Sequence, residues 1–265
     1  MRERVQKLMS QAGVASRRAS EQMIEDRRVK VNGKLITLGD KADPDTDTIE
    51  VDGEKLKFDK IEKRYYVLYK PQNVLSATTK DPKDDRPLVR ELLPVEGHLF
   101  TIGRLDAESE GMMVLTNDGE LTHKLAHPSF EHTKTYKVVV YGTPTEDTLE
   151  KWQDGVWLEE GRSAPCYVKA LEDSHASGTT TLRIVMIEGK KRQIRRVATK
   201  LGHPVKKLMR THIGQLGLGT LKRNEWYRLD DEEVAAMSLP AWELESIRRR
   251  RRQLKRNKRT SRKQS

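Results

Sequence analysis

The sequence contains a single cysteine, Cys166, and none of the common cofactor-binding patterns. One cysteine forms neither an internal disulfide nor a thiolate cage for zinc, which favours a reducing compartment. No apolar run approaches the roughly 20 residues that cross a bilayer, and the first residues lack the apolar core of a signal peptide. Phosphate-binding and dinucleotide-binding glycine patterns are also missing. We therefore expect a cytoplasmic protein with no membrane partner, no metal and no organic cofactor.

Basic residues outnumber acidic ones, and the excess lies at the C-terminus. The net charge is +11, but residues 246–265 alone contain eleven Lys or Arg and no acid. The preceding 245 residues carry 40 basic and 40 acidic groups. A segment of this composition buries too little apolar surface to fold alone, so the sequence predicts a disordered basic tail. Such a tail either neutralises nucleic-acid phosphates or only keeps the protein soluble.

The N-terminal residues predict two short helices followed by a hairpin. Apolar residues at helical spacing indicate a helix within residues 2–12, and Ser16 is a favourable N-cap for a second helix. Val29 and Val31 alternate with polar residues before Asn32-Gly33, a strong signal for a β-hairpin. Basic residues among these positions are candidates for phosphate contacts, although they also fit a solvated surface. They are Arg17, Arg18, Arg28, Lys30 and Lys34.

The segment Gly103–Gly111, with the sequence GRLDAESEG, is the strongest candidate for a reactive site. It lies between the apolar runs Leu99–Ile102 and Met112–Leu115, each of which predicts a buried strand. Asp106 would then lie on a connection between two core strands, bounded by glycines that permit a sharp turn. By residue type alone, an Asp in such a loop is more often a turn or capping residue.

This segment resembles the Gly-Arg-Leu-Asp motif of the pseudouridine synthases, with Ser109 in place of the usual Thr and Met112-Met113 in place of a Leu pair. Residues 115–121 and 188–196 resemble two further patterns of the RsuA/RluB branch of that family. The N-terminal unit resembles the small RNA-binding domain shared by a small-subunit ribosomal protein and tyrosyl-tRNA synthetases. The resemblance extends over about residues 2–235.

The resemblance implies an α+β protein with a small helix-hairpin domain and a larger catalytic domain built on a mixed or antiparallel sheet. A charged segment without periodicity separates the two. We predict an RNA-binding domain over residues 1–56, a linker over 57–63, a catalytic domain over 64–245 and the disordered tail over 246–265.

The resemblance also implies the isomerisation of a specific uridine in ribosomal RNA, with the large subunit favoured. Asp106 would either attack the ribose carbon or remove a ribose proton. Arg195 would pair with this carboxylate, Tyr136 would stack on the flipped uracil, and Arg104 would hold a phosphate or the vacated space. By spacing alone, Tyr136 is a core residue and Arg195 belongs to a basic helix turn.

Two other interpretations remain open at this stage. A ribosome-assembly or RNA-binding protein without catalysis explains the charge distribution equally well, but it does not explain the Asp106 and Arg195 motifs. His123 and His127 have a spacing that can hold a metal, but no third ligand accompanies them. The expected partner is ribosomal RNA or a pre-ribosomal particle, and we expect a monomer.

Overall fold

In the computed structural model, which describes residues 1–58, 62–77, 80–174 and 178–261, contacts between residues divide the chain into two units. The principal boundary lies between Arg64 and Tyr65, at the end of the predicted linker, of which residues 59–61 lie outside the described residues. No helix in the described ranges is long and apolar enough to span a membrane. The first unit comprises Met1–Arg64, Pro94–Phe100 and Thr116–Gly119, and the second comprises Tyr65–Leu93, Thr101–Leu115 and Glu120–Ser265.

The first unit packs two helices against short strands, as the sequence predicted. The Ser16 side chain accepts a hydrogen bond from the Ala19 amide at the start of the second helix. Asn32 and Gly33 both have positive φ, 51° and 74°, which is the geometry of the tight hairpin turn. The elements are β1 Glu3–Arg4, α1 Val5–Gln11, α2 Arg17–Glu25, β2 Val29–Val31, β3 Lys34–Leu35, β4 Lys41–Ala42, β5 Ile49–Val51 and β6 Glu54–Lys55.

The apolar core of the first unit lies between these helices and strands. Val5, Leu8 and Met9 of α1 and Ile24 of α2 are at most 2% exposed. They pack with Val29, Ala42, Ile49 and Val51 from the strands. Leu56 and Phe58 are partly buried against the same core.

The second unit is built on a mixed sheet with the strand order β13-β14-β10-β15-β9-β7-β17. Its strands are β7 Tyr65–Lys70, β8 Phe100–Thr101, β9 Glu110–Thr116, β10 Lys134–Tyr141, β11 Trp157–Leu158, β12 Gly161–Arg162, β13 Tyr167–Ser174, β14 Thr179–Met186, β15 Val205–Ile213, β16 Leu216–Gly217 and β17 Trp226–Arg228. Its helices are α3 Gly119–Ala126, α4 Glu146–Asp154, α5 Gln193–Lys200, α6 Asp231–Ser238 and α7 Leu244–Ser261, with 3₁₀ turns at Val89–Leu92 and Pro128–Phe130.

Strand β9 is an interior strand of this sheet, between β15 and β7, and is buried along its whole length. It runs parallel to β15, with Gly111 opposite Arg210. Gly111 has a φ of +106°, and a Cβ atom there would lie 2.3 Å from the carbonyl oxygen of Arg210. Only glycine therefore allows the two backbones to approach this closely.

The two strands predicted on either side of Asp106 are confirmed as β8 and β9. The amide of Ile102 donates a 2.8 Å hydrogen bond to the carbonyl oxygen of Val114, which brings the two ends of the connection together. Ile102, Met112 and Val114 are fully buried in the main apolar cluster of the unit. The rest of that cluster consists of Val67, Leu125, Ile213, Leu216, Leu229 and Met237.

The C-terminal segment differs from the disordered tail predicted for residues 246–265. Helix α7 extends from Leu244 to Ser261, and residues 262–265 lie outside the described residues. Leu244 and Ile247 are 6% and 1% exposed and pack in a cluster with Val185 of β14 and with Ile187, which follows that strand. The prediction considered only the composition of the segment itself. In the folded protein, two apolar residues are enough to stabilise the helix, because other parts of the unit supply their packing partners.

Ion pairs also hold α7 to the rest of the second unit. Arg250 pairs with Asp154 at the end of α4. Arg248 and Arg251 pair with the two carboxylate oxygens of Glu131, at 3.0 Å and 2.5 Å. The first half of the basic segment is therefore engaged in intramolecular contacts, which its charge alone did not indicate.

Candidate active site

Asp106 lies on the connection between β8 and β9, at the wall of a cavity of about 450 Å³. Its side chain is half-buried, and among the described residues the carboxylate makes no hydrogen bond or ion pair. The structure also places Arg104, Tyr136 and Arg195 in this cavity, so the four active-site residues expected from the sequence share one site.

The backbone on both sides of Asp106 is held by side chains and amides from the segment that follows β7. The Ser76 hydroxyl donates to the Leu105 carbonyl oxygen at 2.7 Å and accepts from the Leu105 amide at 3.2 Å. The Asn73 amide donates to the carbonyl oxygen of Ala107 at 2.8 Å. These contacts hold the residues on either side of the catalytic candidate, Leu105 and Ala107, so the position of its Cα atom is determined by the fold.

Lys70, at the end of β7, is fully buried beneath the same connection. Its Nζ donates to the carbonyl oxygens of Pro71 at 2.9 Å, Ala107 at 3.3 Å and Ser109 at 2.8 Å. Burial lowers the pKa of Lys70 to about 8, and the positive charge of Arg210 acts in the same direction, while Asp106 opposes the shift. The position of Lys70 beneath the connection was not predictable from the residues around it in the sequence.

Arg210 of β15 forms the floor of the cavity and is 1% exposed. Its Nε donates to the Met112 carbonyl oxygen at 2.8 Å, and one terminal nitrogen lies 3.4 Å from the carbonyl oxygen of Arg104. Burial lowers the pKa of Arg210 from its usual value, and the neighbouring Tyr136 hydroxyl opposes that shift. The sequence did not identify Arg210 as a residue of the cavity. The one available signal was its position two residues after Leu208, on the same inward face of the strand.

Tyr136 lies directly opposite Arg210, because β10 and β15 are antiparallel neighbours. The ring is 9% exposed and lines the cavity. Lys134, on the same face of β10, donates to the carbonyl oxygens of Leu125 at 3.2 Å and His132 at 3.3 Å. Burial, reinforced by the charge of Arg210, lowers the pKa of Lys134 to about 8. Tyr136 is therefore a nearly buried residue of the cavity wall beside two cations.

The direct pair expected between Arg195 and Asp106 does not form among the described residues. A terminal nitrogen of Arg195 instead donates to the Glu108 carbonyl oxygen at 3.1 Å and to the Ser109 hydroxyl at 3.2 Å. Burial lowers the pKa of Arg195, as does Arg192, whereas the charges of Glu108 and Asp106 raise it. Arg195 thus contacts the connection within electrostatic reach of the carboxylate.

Glu108 has a different partner from Asp106. Its carboxylate pairs with Arg192 at 2.7 Å, at the start of α5, and both side chains are partly exposed. Hydrogen bonds from its own backbone amide and from Arg192 lower the pKa of Glu108. Glu108 is therefore held away from the cavity in a surface ion pair.

Glu110 is fully buried at the start of β9. It pairs with Lys207 at 2.9 Å and with Arg223 at 2.8 Å, and it accepts a 3.2 Å hydrogen bond from the Tyr69 hydroxyl. Burial raises the pKa of Glu110, but the hydrogen bond and charge of Lys207 and the charge of Arg223 outweigh this, and the pKa is lowered. Glu110 thus joins β9, β15 and the segment before β17.

The five candidates for RNA phosphate contacts all lie in the first unit and are exposed or half-exposed. Arg28 is engaged in an ion pair with Asp52, at 2.6 Å. Arg17 and Arg18 form the first turn of α2, and Lys30 and Lys34 lie on the β2–β3 hairpin.

The two histidines with metal-binding spacing, His123 and His127, stack with ring centroids 5.3 Å apart. Within the described ranges, no group of three or more His, Cys, Asp or Glu residues is placed to hold a metal ion.

The chain is similar to known proteins over most of its length. The sequence model described as RNA pseudouridylate synthase matches residues 64–200, and the S4 domain matches residues 3–47. Ribosomal large subunit pseudouridine synthase B of Bacillus subtilis (strain 168) is 40% identical over 233 residues, which are 88% of this chain and 94% of that protein. The protein of the same name from Vibrio cholerae serotype O1 is 34% identical over 243 residues, 88% of this chain and 74% of that protein.

A solved structure gives the same indication. A crystal structure of a pseudouridylate synthase superimposes with a TM-score of 0.63 at 26% identity, covering 88% of this chain and 99% of that one.

Proposed function

Because the chain belongs to the RNA pseudouridylate synthase family and carries an N-terminal S4 domain, we propose that it isomerises a specific uridine of large-subunit ribosomal RNA, with Asp106 as the catalytic residue. The family, the α+β fold class and the enzyme class inferred from the sequence motifs are confirmed. The choice of the large subunit is supported by the names of the relatives in Bacillus subtilis and Vibrio cholerae.

The observation that carries the catalytic proposal is the position of Asp106. Its carboxylate makes no hydrogen bond or ion pair with the described residues, although its backbone neighbours are held by Lys70, Asn73 and Ser76. A carboxylate that serves as a turn or cap residue would hydrogen-bond a nearby backbone amide. An unpaired carboxylate on a fixed backbone is instead suited to contact a substrate.

The reaction breaks the bond between the ribose carbon and the base nitrogen and forms a bond from the same carbon to C5 of the uracil. C5 loses its hydrogen to solvent and the released N1 of the uracil gains a proton, so the product is an isomer of uridine and no oxidant or reductant is consumed. Asp106 would begin the reaction by attacking the ribose carbon or by removing a ribose proton. Water must be kept from the ribose carbon meanwhile, because hydrolysis would release the base.

Other residues of the cavity would hold the flipped nucleotide. Tyr136 offers a ring at the cavity wall, and stacking would offset part of the few kcal/mol that flipping a uridine costs. Arg104 is exposed at the cavity edge, where it would contact a phosphate or fill the space left by the base. Arg195 would orient the connection that carries Asp106 through its contacts with Glu108 and Ser109.

The remaining parts of the chain would deliver RNA to this site. Residues 1–56 would form the RNA-binding domain and residues 64–245 the catalytic domain. Arg17, Arg18, Lys30 and Lys34 would contact phosphates and position the RNA without reading its bases. Arg28 would do the same by exchanging its ion pair with Asp52 for a phosphate. We propose that the protein acts as a monomer in the cytoplasm on ribosomal RNA or a pre-ribosomal particle.

The test is tritium release from transcripts of large-subunit ribosomal RNA that carry tritium on C5 of uridine. Wild-type protein should release tritium, and Asp106→Asn should lower the rate by about a thousandfold or more, because the amide neither attacks carbon nor accepts a proton. Binding of the same transcript should change by less than about twofold.

Glu108→Gln is the matched control, since it changes a carboxylate two residues away that is paired with Arg192. It should retain most of the activity. An active Asp106→Asn protein, or equal losses in the two variants, would rule out Asp106 as the single catalytic carboxylate. Release from small-subunit transcripts alone would overturn the choice of subunit.

A further inference from the structure

A second groove adjoins the active-site cavity along helix α5. It has a volume of about 450 Å³ and is formed by α5 and the β11–β12 hairpin. Arg192 and Arg195 line both the groove and the cavity that contains Asp106. The groove and the cavity are therefore neighbours on the two sides of these arginines, so the nucleotide next to a target residue in the cavity lies close to the groove.

Cations dominate the charged residues of this groove. Four basic side chains line it against the single carboxylate of Glu159. The basic residues are Arg192, Arg195, Arg196 and Lys200. Arg192 and Arg196 form ion pairs with Glu108 and Glu160, but each retains partial exposure, at 40% and 33%. Such a surface suits an anionic chain better than an apolar peptide.

The tryptophan at the mouth of the groove, Trp157, is 62% exposed. Its backbone is fixed even though its indole is not covered. The Lys200 Nζ donates to the Trp157 carbonyl oxygen at 2.8 Å, and Arg196 pairs with Glu160 at the tip of the same hairpin. The Lys190 Nζ donates to the carbonyl oxygen of Arg162 on β12, at 3.0 Å. An aromatic ring on an anchored hairpin loses little conformational freedom when it stacks on a ligand.

We propose that this groove binds the RNA strand next to the target uridine, with Trp157 stacked on a flanking base and Arg192, Arg196 and Lys200 near the phosphates. The proposal rests on the proposed function, because it takes the cavity as the uridine site. Flipping a uridine leaves the neighbouring base without one of its stacking partners. The indole of Trp157, at the adjoining groove, would take the place of that partner. Every base has a π-face, so this contact adds affinity without reading sequence.

The experiment uses full-length protein and the ribosomal RNA fragment that contains the modified uridine. Trp157→Ala should raise KM about tenfold, equivalent to about 1.4 kcal/mol, and change kcat by less than about twofold. Trp157→Phe should recover most of the affinity, because phenylalanine keeps an aromatic face. Trp242→Phe is the matched control, since Trp242 is 85% exposed and does not line either cavity.

Tryptophan fluorescence provides a direct readout of stacking. The RNA should quench the fluorescence of the wild type and of Trp242→Phe, and this quenching should be largely lost in Trp157→Phe. An abasic nucleotide placed beside the uridine should abolish the KM difference between wild type and Trp157→Ala at one flanking position.

Two results would overturn the groove proposal: an unchanged KM in Trp157→Ala, or undiminished quenching in Trp157→Phe. Its failure is distinguishable from failure of the proposed function. Normal tritium release with an unaffected Trp157→Ala KM would leave the enzyme assignment standing without the groove. Quenching that depends on Trp157, with no tritium release by wild type on any ribosomal transcript, would leave an RNA-binding groove without the proposed activity.

Discussion

The buried ammonium group of Lys70 donates a 2.8 Å hydrogen bond to the carbonyl oxygen of Ser109, three residues beyond the Asp106 carboxylate. Burying a cation costs free energy unless acceptors replace the lost water. The carbonyl oxygens of Pro71, Ala107 and Ser109 are those acceptors. The contact therefore serves two purposes, because it stabilises the buried charge and fixes the connection on which Asp106 lies.

Lys70→Met should lower kcat by about ten- to a hundredfold with little change in RNA affinity, since misplacing a reacting group by about 1 Å has an effect of this order. Methionine fills a similar volume but leaves the Ala107 and Ser109 carbonyl oxygens without this donor. Single-turnover tritium release at saturating RNA measures the rate, and filter binding measures affinity. Lys137→Met, on the exposed side of β10, is the control. Equal single-turnover rates in both variants would show that Lys70 does not position Asp106.

Arg195→Lys should reduce turnover by roughly ten- to a hundredfold, with a modest loss of RNA affinity. One guanidinium nitrogen contacts both the Glu108 carbonyl oxygen and the Ser109 hydroxyl, at 3.1 Å and 3.2 Å. A lysine keeps the charge but loses the planar guanidinium that makes these two contacts. The dissociation constant for RNA and the single-turnover rate of tritium release are measured for Arg195→Lys and for the wild type. Weak binding with a normal rate would mean that Arg195 only holds RNA.

Glu110→Gln should lower the free energy of unfolding by about 2 kcal/mol at neutral pH, because the buried amide no longer forms ion pairs with Lys207 and Arg223. The pKa of Glu110 in the folded protein lies below its usual value of 4.5. Its contribution is therefore fully present above about pH 4.5 and is lost as the pH falls through the lower, folded-state pKa.

Urea denaturation of wild type and Glu110→Gln across pH 3 to 7 measures this dependence. The difference between the two proteins should shrink on acidification. Glu150→Gln, on the exposed surface of α4, should match wild type throughout. A pH-independent difference would mean that packing, and not the charge of Glu110, stabilises the site.

Deleting residues 253–265 should weaken RNA binding at low salt and reduce its dependence on salt. In a plot of the logarithm of the binding constant against the logarithm of the salt concentration, the slope should become shallower by about 0.7 to 0.9 for each phosphate that the segment neutralises. This truncation removes six basic residues but keeps Ile247 and the ion pairs of Arg248, Arg250 and Arg251. The modified uridine should not change, and the free energy of unfolding should fall by less than in the longer deletion, because Ile247 stays in place. Equal salt slopes would remove this segment from RNA binding, and a shifted modification site would show that it reads more than charge.

Deleting residues 246–265 is the comparison, and it should also destabilise the protein by about 2 kcal/mol, because the buried side chain of Ile247 is removed from its apolar cluster. A disordered tail would make the two truncations equally stable.

The sequence by itself determined the features that depend on neighbouring residues. The Ser16 cap and the Asn32-Gly33 turn were predictable because capping and turn geometry involve only a few consecutive positions. The strands around Asp106 followed from apolar runs of four residues each. The family followed from motif residues whose order along the chain is itself the signal.

Tertiary structure alone decided how the charges of the site are arranged. Lys70 donates to a carbonyl oxygen 39 residues away in the sequence, and Arg210 donates to one 98 residues away. No local sequence pattern therefore identifies either residue as a buried cation. The same reason applies to Arg195, which contacts Glu108 and Ser109 in place of the expected carboxylate. It applies also to α7, whose helix depends on apolar partners from β14 and the residues after it. A buried charge or a marginal helix is stable only when distant parts of the chain supply its partners.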